Sequence, residues 1–465
     1  MDKQIVDVLK YSVIMVLALL LVACQGNEPV GNGSEPFPTG DVSLYFELSR
    51  QSEDDGVDYM ASLANGVSKE MDIRIYLFRS NDPENEDSYT CISPYPGEDG
   101  QSYISLLLPA DSDEVNLNRN NNLNYGLGYN CNLNIPFDDD SFYRFLAIGV
   151  RGSRFSESEF SEIDCEPGMK WRDVRIRKRS GQTAPGSEEI FSGVALSDKR
   201  TGSRDFAIPK GGSLKVEIEL SRAVAGVMLC AGNVPSEIKS DFSWSVNKGS
   251  VGNGRYVSFR DNDKVIIEGE NYSIDRIDII AVGCNEAFSP ATSYLTNDYR
   301  EGVAHLASIN LSDSDYLSVV DNSGSATDMA KFFFDGGYVY PARLADKTVE
   351  GEGLVLNRSS LYLAVYTKWE NAYDDSGSED FCYYPLKVIP IKNSIGVSDS
   401  DNENGIGSGD DGWVSADRFR FNLLPNHLYC LGTPDNPIAL SKIIRMENVE
   451  IELIGNYQTD VNIPF

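Results

Sequence analysis

The stretch Met71-Asp72-Ile73-Arg74-Ile75-Tyr76-Leu77-Phe78 carries apolar side chains at Met71, Ile73, Ile75 and Leu77 and more polar ones at Asp72, Arg74 and Tyr76 between them. A period of two is that of a half-buried β-strand, because successive side chains leave the backbone on opposite faces of a sheet. Residues 42–48 repeat it: Val42, Leu44, Phe46 and Leu48 alternate with Ser43, Tyr45 and Glu47. The same texture returns at 143–150, 214–220, 225–229, 255–259, 265–267, 277–282, 361–366, 383–389, 419–423 and 449–453, rich in aromatic and β-branched residues. A 3.6-residue period is hard to find, its best candidates being the short stretches 156–163 and 328–334. Polar or acidic loops are expected at 50–69, 81–100, 111–140, 374–380 and 398–412. The pattern predicts an all-β chain with long loops, most simply two sandwiches.

At the amino end, an apolar run at 11–20 follows Lys3 and Lys10 and leads into Leu21-Val22-Ala23-Cys24. A small residue ahead of a cysteine at this place predicts a lipoprotein signal over residues 1–23, with the mature chain starting at a lipid-bearing Cys24. The run is too short for a membrane span of about 20 residues. Residues 24–40, rich in Gly, Pro, Asn, Glu and Ser, read as a solvated tether. The expected surroundings are the cell envelope, an outer-membrane surface reached through the lipid.

With 71 acidic against 40 basic residues, the 465-residue chain has a formal charge of −31. Long-range repulsion argues against nucleic acid as a partner and against adsorption to anionic lipid. Apart from Cys24, seven cysteines remain, irregularly spaced and without CxxC: Cys91, Cys131, Cys165, Cys230, Cys284, Cys382 and Cys430. A pair such as Cys91 with Cys131 is conceivable in an oxidising compartment, but buried free thiols are expected for most.

Catalytic chemistry has little to build on. His305 and His427 are the two histidines; neither stands in HExxH or HxH, and no GxSxG accompanies them. No phosphate-binding glycine loop is present. Residues 399–405 have the oxygen density of a calcium loop, but their glycine, Gly405, falls at the seventh position instead of the sixth, so a solvated acidic loop is the better reading. The expectation is a non-enzymatic protein with no metal and no cofactor.

The order of segments resembles the lipoprotein fimbrillins of Bacteroidales, the subunits and accessory proteins of fimbriae assembled by strand exchange. The likeness rests on Cys24 and its tether, on a first strand over 41–48 ending in Ser49-Arg50, and on the second strand 71–78. It continues through 142–149, the Phe191-Ser192-Gly193 turn, Leu220-Ser221-Arg222-Ala223-Val224-Ala225, the strand 275–283, Tyr383-Tyr384-Pro385 and Pro425-Asn426-His427-Leu428-Tyr429.

The resemblance implies two transthyretin-like β-sandwich domains in tandem, at 41–212 and 213–465. In polymerising members of that family a trypsin-like protease cuts after an arginine beyond the first strand, and Arg50 is the matching position, the only arginine between the two opening strands. Loss of the strand bearing Val42, Leu44, Phe46 and Leu48 would open an apolar groove for a strand of the next subunit. The candidate donor is the C-terminus: Val449, Ile451 and Leu453 alternate with acids, and Val461, Ile463 and Phe465 continue the alternation. The acids Glu53, Asp54 and Asp55 soon after Arg50 disfavour such a cut, which leaves stalk, tip and anchor roles open. The expected partners are other fimbrial subunits by strand complementation, and a host or bacterial surface ligand. A rival reading is a surface glycan-binding lipoprotein that captures polysaccharide on exposed aromatics, for which 4 tryptophans (Trp171, Trp244, Trp369, Trp413) and 24 tyrosines are candidates.

Overall fold

A computed structural model describes residues 39–48, 71–94, 102–108, 130–136, 140–152, 154–182, 186–208, 213–245, 264–291, 299–311, 317–318, 331–344, 348–351, 354–370, 381–393, 418–433 and 436–454. They fold almost entirely as strands. The first sheet has nine: β1 (Thr39–Leu48), β2 (Met71–Ser80), β3 (Thr90–Ile92), β4 (Tyr103–Leu108), β5 (Asn130–Pro136), β6 (Phe142–Arg151), β7 (Glu189–Val194), β8 (Phe206–Ala207) and β9 (Ser213–Arg222). Their order is β3-β2-β6-β7-β9-β1-β5, with β4 also on β2 and β8 also on β6.

The second sheet contains β10 (Ala225–Gly232), β11 (Arg276–Asn285), β12 (Tyr299–Asn310), β13 (Lys331–Val339), β14 (Leu361–Glu370), β15 (Phe381–Asn393), β16 (Leu428–Leu431) and β17 (Val449–Ile454). They run in the order β12-β11-β14-β15-β17-β16-β10-β13, and three two-residue strands complete the sheet. The chain crosses from the first sheet to the second between Arg222 and Ala225, so β9 is a strand of the first sheet.

Three apolar layers hold these sheets. One face of β2 and β6 (Ile73, Ile75, Leu77, Phe145, Ala147) packs with Val216, Ile218 and Leu220 of β9. The opposite face of the same two strands (Tyr76, Phe78, Leu146, Ile148, Val150) packs on Met228, Cys230, Phe332, Tyr338, Leu428 and Cys430 of the second sheet. The other face of β10, through Val227 and Leu229, joins the large core beneath β11, β14 and β15. Strands covered on both faces need apolar residues throughout, which is why β10 reads Ala-Gly-Val-Met-Leu-Cys-Ala-Gly and is buried at all eight positions.

Several local expectations change. Residues 156–163 form turns followed by the strand Ser161–Asp164, and 331–334 open β13; tertiary pairing overrides a short helical period in both. Phe191-Ser192-Gly193 lies inside β7 instead of in a turn. Residues 419–423 contribute one isolated bridge, Ala342↔Leu423, instead of a strand. The stretches 81–100 and 111–140, expected as loops, contain β3 and β5. In β5 the alternation is carried by asparagines, which strands disfavour, so it reads as loop.

Trp171 is fully buried in the shared layer, edge-on to Phe78 with ring centroids 4.9 Å apart. Replacement Trp171→Ala is expected to cost about 3–5 kcal/mol. Because both sheets own that layer, calorimetry should record one cooperative transition shifted to lower temperature, and two separate transitions would contradict a shared core.

Candidate strand-exchange seam

The amino-terminal strand is built into the first sheet. β1 runs parallel to β9 over eight residue pairs, from Asp41↔Ser213 to Leu48↔Leu220, and antiparallel to β5 from Thr39↔Pro136 to Tyr45↔Asn130. Val42, Leu44, Phe46 and Leu48 stand at the register positions of Leu214, Val216, Ile218 and Leu220. Paired residues of neighbouring strands share a face, so these positions lie on the sheet face from which Val216, Ile218 and Leu220 enter the first core, all three fully buried. Among the described residues β5 pairs only with β1.

The other side of β9 is nearly free of ladder. β7 meets it only at Phe191↔Arg222 and Ser192↔Ser221, while β8 continues along β6. A cleft of about 470 Å³ opens there, lined by Leu196, Phe206, Ala207, Leu214, Lys215 and Glu217. Glu217 Oε1 accepts from Lys215 Nζ at 2.9 Å and its Oε2 faces Lys199 Nζ at 3.1 Å. Hydrogen bonds from these ammonium groups hold the Glu217 carboxyl below its ordinary range.

Two buried polar clusters brace the seam. Glu189 accepts from Arg222 Nε at 3.0 Å and pairs with Arg151 at 3.2 Å, tying β7 to β9 and β6 beside the crossing to the second sheet. Arg144 Nε and Tyr89 Oη both donate to Asp205 Oδ1, at 2.6 and 2.7 Å, and the guanidinium lies 3.9 Å from the Tyr89 ring centroid. Burial, followed by the bond to Asp205, raises the Tyr89 phenol above its ordinary pKa. Nothing in the sequence ties Asp205 to Arg144 or Glu189 to Arg222, because each pair is made by strand register across long separations. At Gly193 the backbones touch: a Cβ there would lie 2.1 Å from the Glu219 carbonyl oxygen.

The expected sites are distributed as follows. Cys24, Arg50, Val461, Ile463 and Phe465 lie outside the described residues, as do the acidic stretches 374–380 and 399–405. The first half of the candidate donor is β17, an interior strand between β15 and β16, with Val449 and Ile451 buried. His305 packs on Asp278, Nδ1 to Oδ2 2.6 Å, and fully buried Asp278 also pairs with Arg276 at 2.7 Å, a charge cluster between β11 and β12. Trp171 is interior and offers no sugar platform, while Trp244 is half-buried, its Nε1 donating to the Pro385 carbonyl at 2.7 Å. The side chains of Trp369 and Trp413 fall outside the described set.

His427 sits in the turn that opens β16. Asn426 takes a left-handed φ of 56°, which asparagine tolerates, and its N–H donates to the Val224 carbonyl at 3.0 Å. Tyr429 Oη donates to the Asn422 carbonyl at 2.8 Å and accepts from Leu424 N–H at 3.0 Å, closing the corner. Desolvation lowers the His427 pKa below its ordinary value, against the Pro425 carbonyl contact at 2.7 Å that favours the charged form.

No family model matches the chain, and no curated protein matches it. Solved structures do. A proposed adhesin of Bacteroides thetaiotaomicron is 12% identical, aligned over 87% of this chain and 95% of its own, with a TM-score of 0.34. A proposed cell adhesion protein of Bacteroides eggerthii is 9% identical over 91% and 97%, TM-score 0.35. The fimbrial anchor protein Mfa2 of Porphyromonas gingivalis is 11% identical over 70% and 77%, TM-score 0.26. The chain is thus similar along most of its length to solved adhesion and fimbrial proteins of Bacteroidales.

Two outcomes follow from the seam and its corner. Gly193→Ala should destabilise by about 2 kcal/mol, as overpacked contacts do, and hydrogen exchange of β9 amides should quicken; unchanged exchange would mean that β7 and β9 need no close approach. For His427 the unfolded chain binds the proton more readily, so its contribution is present above about pH 6.5 and fades as the pH falls. Denaturation of the His427→Gln variant should therefore show a shallower loss of stability between about pH 7 and 5.5 than the parent.

Proposed function

We propose that this chain is a non-enzymatic fimbrial or cell-adhesion lipoprotein, an accessory, tip or anchor subunit that joins its neighbours by donating and accepting β-strands. The observation that carries the reading is the place of β1: a strand from the amino end, continuous with the 24–40 tether, inserted between β9 and β5 and aligned position by position with the apolar row of β9. Its departure would expose eight paired positions of β9 and detach β5 from its only described neighbour. An uncovered edge above an open core is costly, so a strand of alternating polarity from another subunit would be held strongly there. Val461, Ile463 and Phe465 supply such an alternation, while β17 stays in its own sheet.

The two sandwich modules share a core, and β9 (Ser213–Arg222) goes with the first of them, so the boundary expected at 212/213 moves beyond Arg222. Sheet membership supports placing the crossover at the Arg222–Ala225 step. In this reading the lipid on Cys24 holds the protein at the outer membrane as long as the bond after Arg50 is intact. The same bond decides between an anchor and a polymerising subunit.

Intact-mass measurement of the protein taken from the envelope distinguishes the roles. An amino terminus at Gln51 is the result expected for a polymerising subunit, and a lipid-bearing Cys24 in sheared fibres that expected for an anchor. Ile463→Asp should abolish incorporation into fibres without changing the melting temperature of the monomer. Normal incorporation would overturn donation by this segment.

A further inference from the structure

At the edge of the first sheet opposite β5, β3 and β4 both stand on β2, and β3 is covered by chain segment 168–171. Cys91 N–H donates to the Met169 carbonyl and Gly168 N–H to the Cys91 carbonyl, each at 2.8 Å. Trp171 N–H donates to the Tyr89 carbonyl at 2.9 Å, and Thr90 bridges Lys170. This pairing brings Cys165, at the end of the strand Ser161–Asp164 and its following turn, against Cys91. Both side chains are buried, at 2% and 5% exposure, and Ser102 links them: its carbonyl takes the Cys91 thiol at 3.7 Å and its hydroxyl donates to the Cys165 carbonyl at 2.7 Å.

We propose that Cys91 and Cys165 form a disulfide in the exported protein, stapling β3 to the segment that covers it. Cys230 and Cys430 belong to the same apolar layer but stand on the adjacent strands β10 and β16, and Cys284 lies in β11. The bond requires removal of two electrons and two protons from the two thiols. A protein dithiol oxidant of the envelope supplies this by exchange: one cysteine attacks the oxidant's disulfide, the second displaces the mixed disulfide, and the oxidant leaves as a dithiol.

The thiols of the folded state are poor nucleophiles. Cys165 is pushed far above its ordinary pKa by its hydrogen bond to Cys91 and by burial. The exchange therefore belongs to folding, before the pair is buried, and the finished bond is shielded from reductants. The bond holds the covering segment 168–171 on β3, at the end of the sheet away from β1 and β5.

The compartment of this inference rests on the export reading; the pairing does not. Protein from the envelope, alkylated with iodoacetamide in denaturant without reductant and digested, should yield one linked peptide joining Cys91 to Cys165, about 2 Da lighter than the two thiol peptides together. Protein refolded from the reduced state in glutathione disulfide should yield the same peptide. Reduction, or the Cys91→Ser/Cys165→Ser double variant, should lower the melting temperature by about 5 °C. Both cysteines alkylated in both preparations, or either one linked to another cysteine, would overturn the pairing. The linked peptide after refolding but not from the envelope would support the pairing and count against export.

Discussion

Burial of β2, β6, β10 and β16 on both faces, with the two ends of β13, is the condition on which the other elements depend. A strand with one wet face can tilt or slip in register with partial loss, but a strand between two cores displaces every side chain it carries. The layer with Tyr76, Phe78, Leu146 and Ile148 on one side and Met228, Cys230, Phe332 and Leu428 on the other therefore makes one body of two sheets. Glu189 and Arg222 sit next to it, where the chain passes from sheet to sheet, and their ion pair is protected from screening by burial.

Away from this layer the constraint weakens. β9 has one full ladder, to β1, and two residue pairs to β7; β5 hangs on β1 alone among the described residues. Local opening is expected where ladders are few and cores one-sided. The amino-terminal strand lies in this outer half of the sheet, and not between β2 and β6. On the opposite edge, β3 is covered by backbone bonds from 168–171.

Strands whose side chains meet a core on a regular period were legible in the residues: β1, β2, β6, β9, β11, β14 and β15 fall where alternation or a continuous apolar run places them. β3 and β5 were not, because three residues carry no period and an asparagine-rich strand imitates a loop. Residues 331–334 misled because Phe332, Phe333 and Phe334 fit either period over so short a window. Of the seam, the apolar row Val42, Leu44, Phe46 and Leu48 was visible, but its neighbours were not. The clusters Arg144–Asp205–Tyr89, Arg222–Glu189 and Asp278–Arg276–His305 had no signal, since ion pairs across strands follow register and leave no spacing rule in the chain.

The sequence by itself determined the strand texture and the acidic charge, because period and charge are local properties of a chain. The tertiary structure alone decided that β1 pairs with β9 in parallel, that β9 belongs to the first sheet, that β17 is interior, and that Cys91 and Cys165 come together beside Ser102. These are choices among partners. Many strands here offer the same alternating apolar face, and only simultaneous burial of all of them in three layers selects which pair, and in what register.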